Sequence, residues 1–250
     1  MLPGALLLAG VNDTSHLAAF KPGEKATYRV QYHCGGLWMS AGEVTFSCEE
    51  STLNNRPVYH VVGYGETYKS YDWFYKVRDK YESYIEEQTL QPLKFIRDVN
   101  EGGYSIYNNV SFNQHTHKAT STNGTYTIPE STQDVLSGIY WARNIDFSKM
   151  SPGQKINMNM FIDDTTYAIY IKYDGTENLT TAAGTFNCIK FKPLLINGTM
   201  FKGGEKMTVW VTNDENRVPV RVESEIAVGS IAADLYKWEG LSHPMTAKIK

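Results

Sequence analysis

Apolar and polar residues alternate along most of this chain. Tyr28, Val30 and Tyr32 share one phase of Ala26 to His33, while Tyr59, Val61 and Gly63 oppose Val58, His60, Val62 and Tyr64. A period of two is the signature of a β-strand with one face on a core. The pattern recurs in about thirteen segments of ordinary strand length, joined by short turns. Asn54-Asn55, Gly102-Gly103, Asp163-Asp164 and Asn213-Asp-Glu-Asn216 carry the turn chemistry between them. Leu37 to Glu49 reads as one strand interrupted at Ala41-Gly42, where a bulge is expected.

One stretch departs from this rhythm. Between Pro129 and Phe147, Val135, Ile139 and Ala142 recur at spacings of four and three, and Leu136, Tyr140 and Arg143 repeat the pattern one residue on. This predicts a single amphipathic helix over about 131–145, with Ser131 as its N-cap, Asp134 at the capping-box position and Asn144 as a left-handed C-terminal residue. A lone amphipathic helix must bury its apolar stripe, and only sheet is on offer. Short loops favour an antiparallel meander, and so many strands in one open sheet curl or close. The expected fold is therefore all-β and mainly antiparallel. It is a strongly curved meander sheet or incomplete barrel with the helix packed on its concave side.

Composition narrows the class. The chain has 250 residues, 42% of them hydrophobic, which suits one β domain with a sizeable core. Its 17 Tyr exceed its 10 Phe, as in half-exposed sheets and wet interfaces. The net charge is −3, and no dense Lys/Arg cluster occurs, so nucleic acid is not expected as a partner. No apolar run reaches the length of a transmembrane segment. Residues 1–10 are apolar and end in Ala9-Gly10, and they read as the remnant of a secretory signal, with a single domain over 11–250. Export permits disulfides. Cys34 and Cys48 either pair across neighbouring strands or stay buried thiols, and Cys188 has no evident partner.

Candidate chemistry is sparse. His115 and His117 lie two apart on a polar hairpin, without the Cys or carboxylate spacing of a metal site. No metal and no cofactor is expected. Glu82, Glu86 and Glu87 form an acidic run, and paired acids serve glycosidases. Surface acids on sheets are commoner, so a glycan hydrolase is the least favoured reading and no catalytic residue is assigned. Arg143 and Asp134 at opposite ends of the helix, with Trp210 and Asp214 on a late hairpin, are expected to form a polar lock between helix and sheet.

Several motifs together resemble the DUF3108 domain family of bacterial exported proteins of unknown function. They include Gly23-Glu24 with Tyr28-x-Val30, Ala41-Gly42-Glu43, and Phe74-Tyr75-x-Val77-x-Asp79. Also matching are Asp134-Val-Leu-Ser137-x-x-Tyr140-x-x-Arg143, Val209-Trp210-Val-Thr-Asn-Asp214 and Arg217-Val-Pro219-Val. The resemblance implies an exported protein, periplasmic or outer-membrane-associated, with a curved β architecture, and it supplies no catalytic residues. Asp134, Ser137, Trp210 and Asp214 stand as structural positions.

The expected function is non-enzymatic. An apolar or glycan ligand, a lipid or a sugar, is held in the sheet's concavity beneath the helix. Tyr71, Trp73, Phe74, Tyr140, Trp141 and Arg143 are its candidate contacts. The alternative is an assembly partner for another envelope protein, acting through an exposed edge or aromatic patch.

Overall fold

The structure is a computed structural model and describes residues 18–34, 36–196, 203–226 and 229–250. The expected signal remnant at 1–10 lies outside these residues. Among the described residues fourteen strands form one sheet. The first eight are β1 (Lys25–Cys34), β2 (Leu37–Leu53), β3 (Arg56–Thr67), β4 (Arg78–Glu86), β5 (Pro92–Glu101), β6 (Tyr104–Asn113), β7 (Lys118–Ser121) and β8 (Gly124–Thr127). A helix, α1 (Val135–Ala142), and a short 3-10 turn (Phe147–Lys149) follow. The chain closes with β9 (Lys155–Ile162), β10 (Thr165–Thr181), β11 (Gly184–Pro193), β12 (Met207–Thr212), β13 (Pro219–Glu225) and β14 (Ser230–Glu239).

The order across the sheet is β8-β7-β6-β5-β4-β3-β2-β1-β14-β13-β12-β11-β10-β9, antiparallel at every step. The chain thus starts in the middle, walks out to one edge, crosses through α1 and walks back from the other edge. Each half, β1 to β8 and β9 to β14, is a meander, and the two join where β1 pairs with β14, from Lys25 opposite Glu239 to His33 opposite Ser230. Turn chemistry sets the register locally. Asn54 and Asn55 have φ of 51° and 61°, and Asp163 and Asp164 have 49° and 59°, the two positive values that a two-residue hairpin turn requires. Between β1 and β2 the pairing shifts after Val30, which faces Gly42, so that Gln31 faces Ser40 and Ala41 is the extra residue. A Cβ on Gly42 would stand 2.2 Å from the Glu66 carbonyl oxygen, so only glycine fits there.

The helix is shorter than the sequence suggests and starts later. Its N-cap is Asp134, not Ser131: the Asp134 carboxylate accepts from the Leu136 and Ser137 amides, and the Ser137 hydroxyl accepts from the Asp134 amide. Ser131 sits at φ 57°, upstream of the helix, and accepts from the Gln91 side chain. Two cap-competent residues compete within one turn, and the one with helical amides in reach wins. Asn144 does not take the left-handed conformation either. Its side chain donates to the Tyr140 carbonyl and accepts from the Ala19 amide.

The two edges of the sheet approach each other. Gln133 pairs in parallel with the β9 edge, its amide donating to Asn159 O and its carbonyl accepting from Phe161 N. Phe161 packs with Phe112 of β6 and Tyr126 of β8, in a cluster with Phe95, Val110 and Ile128. Arg97 of β5 pairs with Asp163, and Asn123 donates to Asp164. Backbone hydrogen bonds leave the barrel unclosed, and these side chains span the gap.

Strand alternation buries Val61, Ile85 and Cys48 on the face that meets Leu136 and Tyr140 of α1. Ala142 belongs to a second cluster with Ile171, Ile189, Phe191, Val209 and Val211. One helix of eight residues, about 12 Å long, therefore touches both halves of the sheet. The Cys34–Cys48 alternative is settled by register. Cys34 faces Leu37 at one end of the β1–β2 pair, whereas Cys48 lies just past Ser47, the partner of Lys25 at the other. That separation is about 30 Å of strand. Cys48 is a buried free thiol, and burial pushes its pKa up to about 12.

Candidate functional site

The chemistry of this molecule gathers at the two ends of α1. At its C-terminal end Arg143 is buried at 4% exposure. Its guanidinium grips both carboxylate oxygens of Glu24, with Nη2 2.9 Å from Oε2, and also donates to the carbonyls of Ala19 and Asn216. Burial opposes the Arg143 charge, but the adjacent Glu24 carboxylate outweighs it and holds the pKa above the ordinary arginine value. Phe20 and Tyr140 flank the guanidinium. Arg143 does fasten the end of the helix, but its acid is Glu24 and not Asp134 or Asp214, and nothing in the sequence marked Glu24 as buried.

At the N-terminal end the Asp134 carboxylate accepts a 2.6 Å hydrogen bond from Ser83 of β4 besides capping the helix. Burial raises its pKa to about 6 against these donors. Asp214 and Trp210 bond to groups outside the helix. Asp214 accepts from Thr212, the Asn216 amide and the Ala247 amide, and so shapes the β12–β13 loop and fastens the C-terminal segment. Trp210 donates to Glu177 and packs with Phe186, Cys188 and Val220.

The candidate ligand contacts divide into two groups. Tyr140 and Arg143 are buried and Trp141 is half-buried, all within the helix seat. Tyr71, Trp73 and Phe74 lie on the β3–β4 loop, tied to β2 where the Tyr68 amide donates to Ala41 O. From there to Cys48, beside Tyr140, is about 20 Å along β2. The structure does not bring the six together.

What lies between them is an apolar patch on the helix-facing side of the sheet that sequence reasoning missed. Val30 and Val44 continue the phase of Tyr28 and Phe46; Val30 faces Ala233, which faces Val222 in turn, and Val44 faces Gly65. All five are small and half-buried, where the same phase beside the helix is closed by Phe46, Leu136 and Tyr140. Glycine at 63 lets Phe46 and Leu136 meet, since a Cβ there would lie 3.1 Å and 3.4 Å from them. Alternation identifies such positions as inward. Only the register shows that they adjoin, as two ladders, Val30–Ala233–Val222 and Val44–Gly65, offset where Val44 faces Tyr28 and Val30 faces Gly42.

A groove of about 990 Å³ runs past Arg56, Glu86, Lys94, His115, His117 and Lys118, and it is open and polar. Among the described residues no group of three His, Cys, Asp or Glu is placed to hold a metal. Glu82 is held by His60 and Lys80, and Glu86 by Arg56. Near the upper rim, Glu101 hydrogen-bonds Asp79. Burial first, then this bond and the Asp79 charge, raise the Glu101 pKa from 4.5 to about 7.

Because Asp134 and Glu101 both titrate above their unfolded values, the folded state binds more protons through this range. Their stabilisation is complete below the unfolded values of 3.8 and 4.5 and is lost as pH rises through about 6 and about 7. Urea unfolding midpoints are expected to fall between roughly pH 5 and 7, and Glu101→Gln to flatten the upper part of that fall. An unchanged slope in the variant would remove Glu101 as its source.

Among the described residues no helix is long and apolar enough to cross a membrane. A model of the family described as "Protein of unknown function (DUF3108)" matches residues 27–236. None of the curated proteins matches the sequence. Among solved structures, the chain is similar to a β-barrel-like protein of the domain of unknown function DUF1849 from Brucella abortus. Identity is 7% and the TM-score 0.57, with 88% of this chain and 98% of the other covered. A protein of YmcC-like fold from Bacteroides fragilis aligns at 13% identity and a TM-score of 0.38, over 89% of this chain and all of the other.

Proposed function

The chain belongs to the DUF3108 family, and from that premise we propose that it is a non-enzymatic envelope protein that holds an apolar ligand in the curvature of its sheet, with α1 as the floor. The observation that carries this reading is the patch Val30, Val44, Gly65, Val222 and Ala233, apolar and half-buried on the phase that faces the helix, with Val222 and Ala233 also packed against the core clusters beside it. A folded protein gains by covering such surface. An acyl chain fits a patch with no hydrogen-bonding side chain better than a sugar does. The concave placement of α1 is part of the proposal. It is supported by the helix packing against β3 and β4 and against the β9 edge, strands far apart in sheet order. Export rests on the apolar residues 1–10 and on the family resemblance. A non-catalytic role for Glu24, Glu82 and Glu86 is supported by the cationic partner that each of them holds.

A fluorescent dansyl fatty acid tests the reading. The full chain is expected to bind it saturably, and Gly65→Leu, which fills the patch from β3, to weaken binding at least about ten-fold without loss of fold. No saturable binding, or equal binding by the folded Gly65→Leu variant, would overturn it.

A further inference from the structure

The β3–β4 loop presents a feature that a ligand-holding sheet does not need. Trp73 is 84% exposed, Phe74 67% and Tyr75 43%. These are consecutive large side chains at a loop tip, so they form a wedge, not part of a broad flat patch. Free mobility does not account for them, because the loop is braced from within. Asp72 accepts from Thr67 at 2.8 Å and from Arg78 at 2.7 Å, and the Thr67 hydroxyl accepts from the Val77 amide. The Phe74 and Tyr75 amides both donate to the Tyr71 carbonyl. Tyr75 is wedged against the β5–β6 turn, where a Cβ on Gly102 would come within 2.3 Å of its ring. The braces hold Trp73 and Phe74 outward.

The same end of the sheet carries a second apolar tip. Leu37, Trp38 and Met39, at 69%, 46% and 36% exposure, begin β2 just beyond Ala41, to which the loop is tied. Tyr104, at 58%, follows the turn that Tyr75 packs against. The charges nearby have a definite arrangement. The exposed Lys69 and Lys76 flank the wedge, while the one acid between them, Asp72, is committed to Arg78.

We propose that this end of the molecule docks on a lipid surface, with Trp73 and Phe74 inserted at the headgroup level and Lys69 and Lys76 against anionic headgroups. Trp and Tyr combine an apolar body with a polar tip and concentrate at membrane interfaces. A narrow aromatic wedge between lysines matches a fluid surface that closes around it. A rigid protein partner would call for a broader matching face. The half-buried apolar patch starts directly behind this end, at Val30, which faces Gly42. Docking would therefore turn the open end of the curvature toward lipid, but the inference rests on the loop alone and stands whether or not the patch takes a ligand.

Vesicle flotation of the full chain tests it, with phosphatidylethanolamine/phosphatidylglycerol vesicles compared with neutral phosphatidylcholine. The protein is expected to float with the anionic vesicles, less so at high salt, with a blue shift of tryptophan emission. W73S/F74S is expected to reduce partitioning at least about ten-fold. W73F should still float but without most of the blue shift, which separates lost contact from lost fold. Failure of the wild type to float, or equal flotation of W73S/F74S, would overturn the proposal. So would a doubled native mass that W73S/F74S abolishes, since the wedge would then belong to an interface between copies of the chain.

Discussion

Replacing Arg143 with Ala is expected to cost about 3–5 kcal/mol of unfolding free energy, because it strands Glu24 as a buried charge. For a domain of this size that corresponds to a fall in Tm of roughly 6–20 °C. The side chain is 5% exposed and its partner 3%, so water cannot replace the lost contacts without opening the helix seat. The same substitution releases the carbonyls of Ala19 and Asn216, which tie the segment before β1 and the β12–β13 loop to the helix. Removing both charges with apolar residues of similar volume, Glu24→Leu with Arg143→Met, is expected to recover much of the loss, since a buried ion pair is seldom better than a packed apolar one. Thermal melts of the two single variants and the double form a cycle that isolates the pair. A single-variant loss within about 0.5 kcal/mol would show that the arginine is not a fastener.

Phe161→Ala is expected to be of similar size, about 3–5 kcal/mol. Phe161 is 1% exposed and lies on β9, the last strand of the sheet, yet its ring packs on Phe112 and Tyr126 from the other half. No backbone ladder joins β8 to β9, so this ring, the Gln133 bridge and the Arg97–Asp163 pair hold the two edges together. The loss should be accompanied by faster amide exchange in β9 and in β6 to β8, with the β1–β14 seam protected. Uniform loss of protection across the sheet would mean that the edges do not meet as a separable unit.

These two residues also show what the sequence made legible. Alternation located the strands, and turn pairs such as Asn54-Asn55 and Asp163-Asp164 located their ends, because both are local consequences of backbone geometry. The helix was legible through its spacing, and Arg143 within it was a reasonable fastener. Glu24 was not legible as its partner, since the two are 119 residues apart and an acid beside a turn ordinarily stays in water. The pairing of β1 with β14 was hidden for the same reason: chain order favours neighbours in sequence, and nothing local announces the ladder that joins first strand to last. The aromatic residues were legible as a group, but not their division. Tyr140 shares the helix's apolar stripe and is buried by it, whereas Trp73 and Phe74 sit on a loop whose bracing by Asp72, Thr67 and Arg78 has no periodic signature. The patch from Val30 to Val222 was invisible because its members are spread over five strands, and register alone makes them adjoin.

The most direct test of the account is native mass spectrometry of the full chain purified from a bacterial host without detergent. The proposed apolar site is expected to retain part of its cargo, seen as a second species heavier than the bare chain, whose excess mass disappears after organic extraction and is reduced in Gly65→Leu. A single species at the mass of the bare chain, unchanged when fatty acid is added, would contradict the claim that the curvature of this sheet holds a ligand.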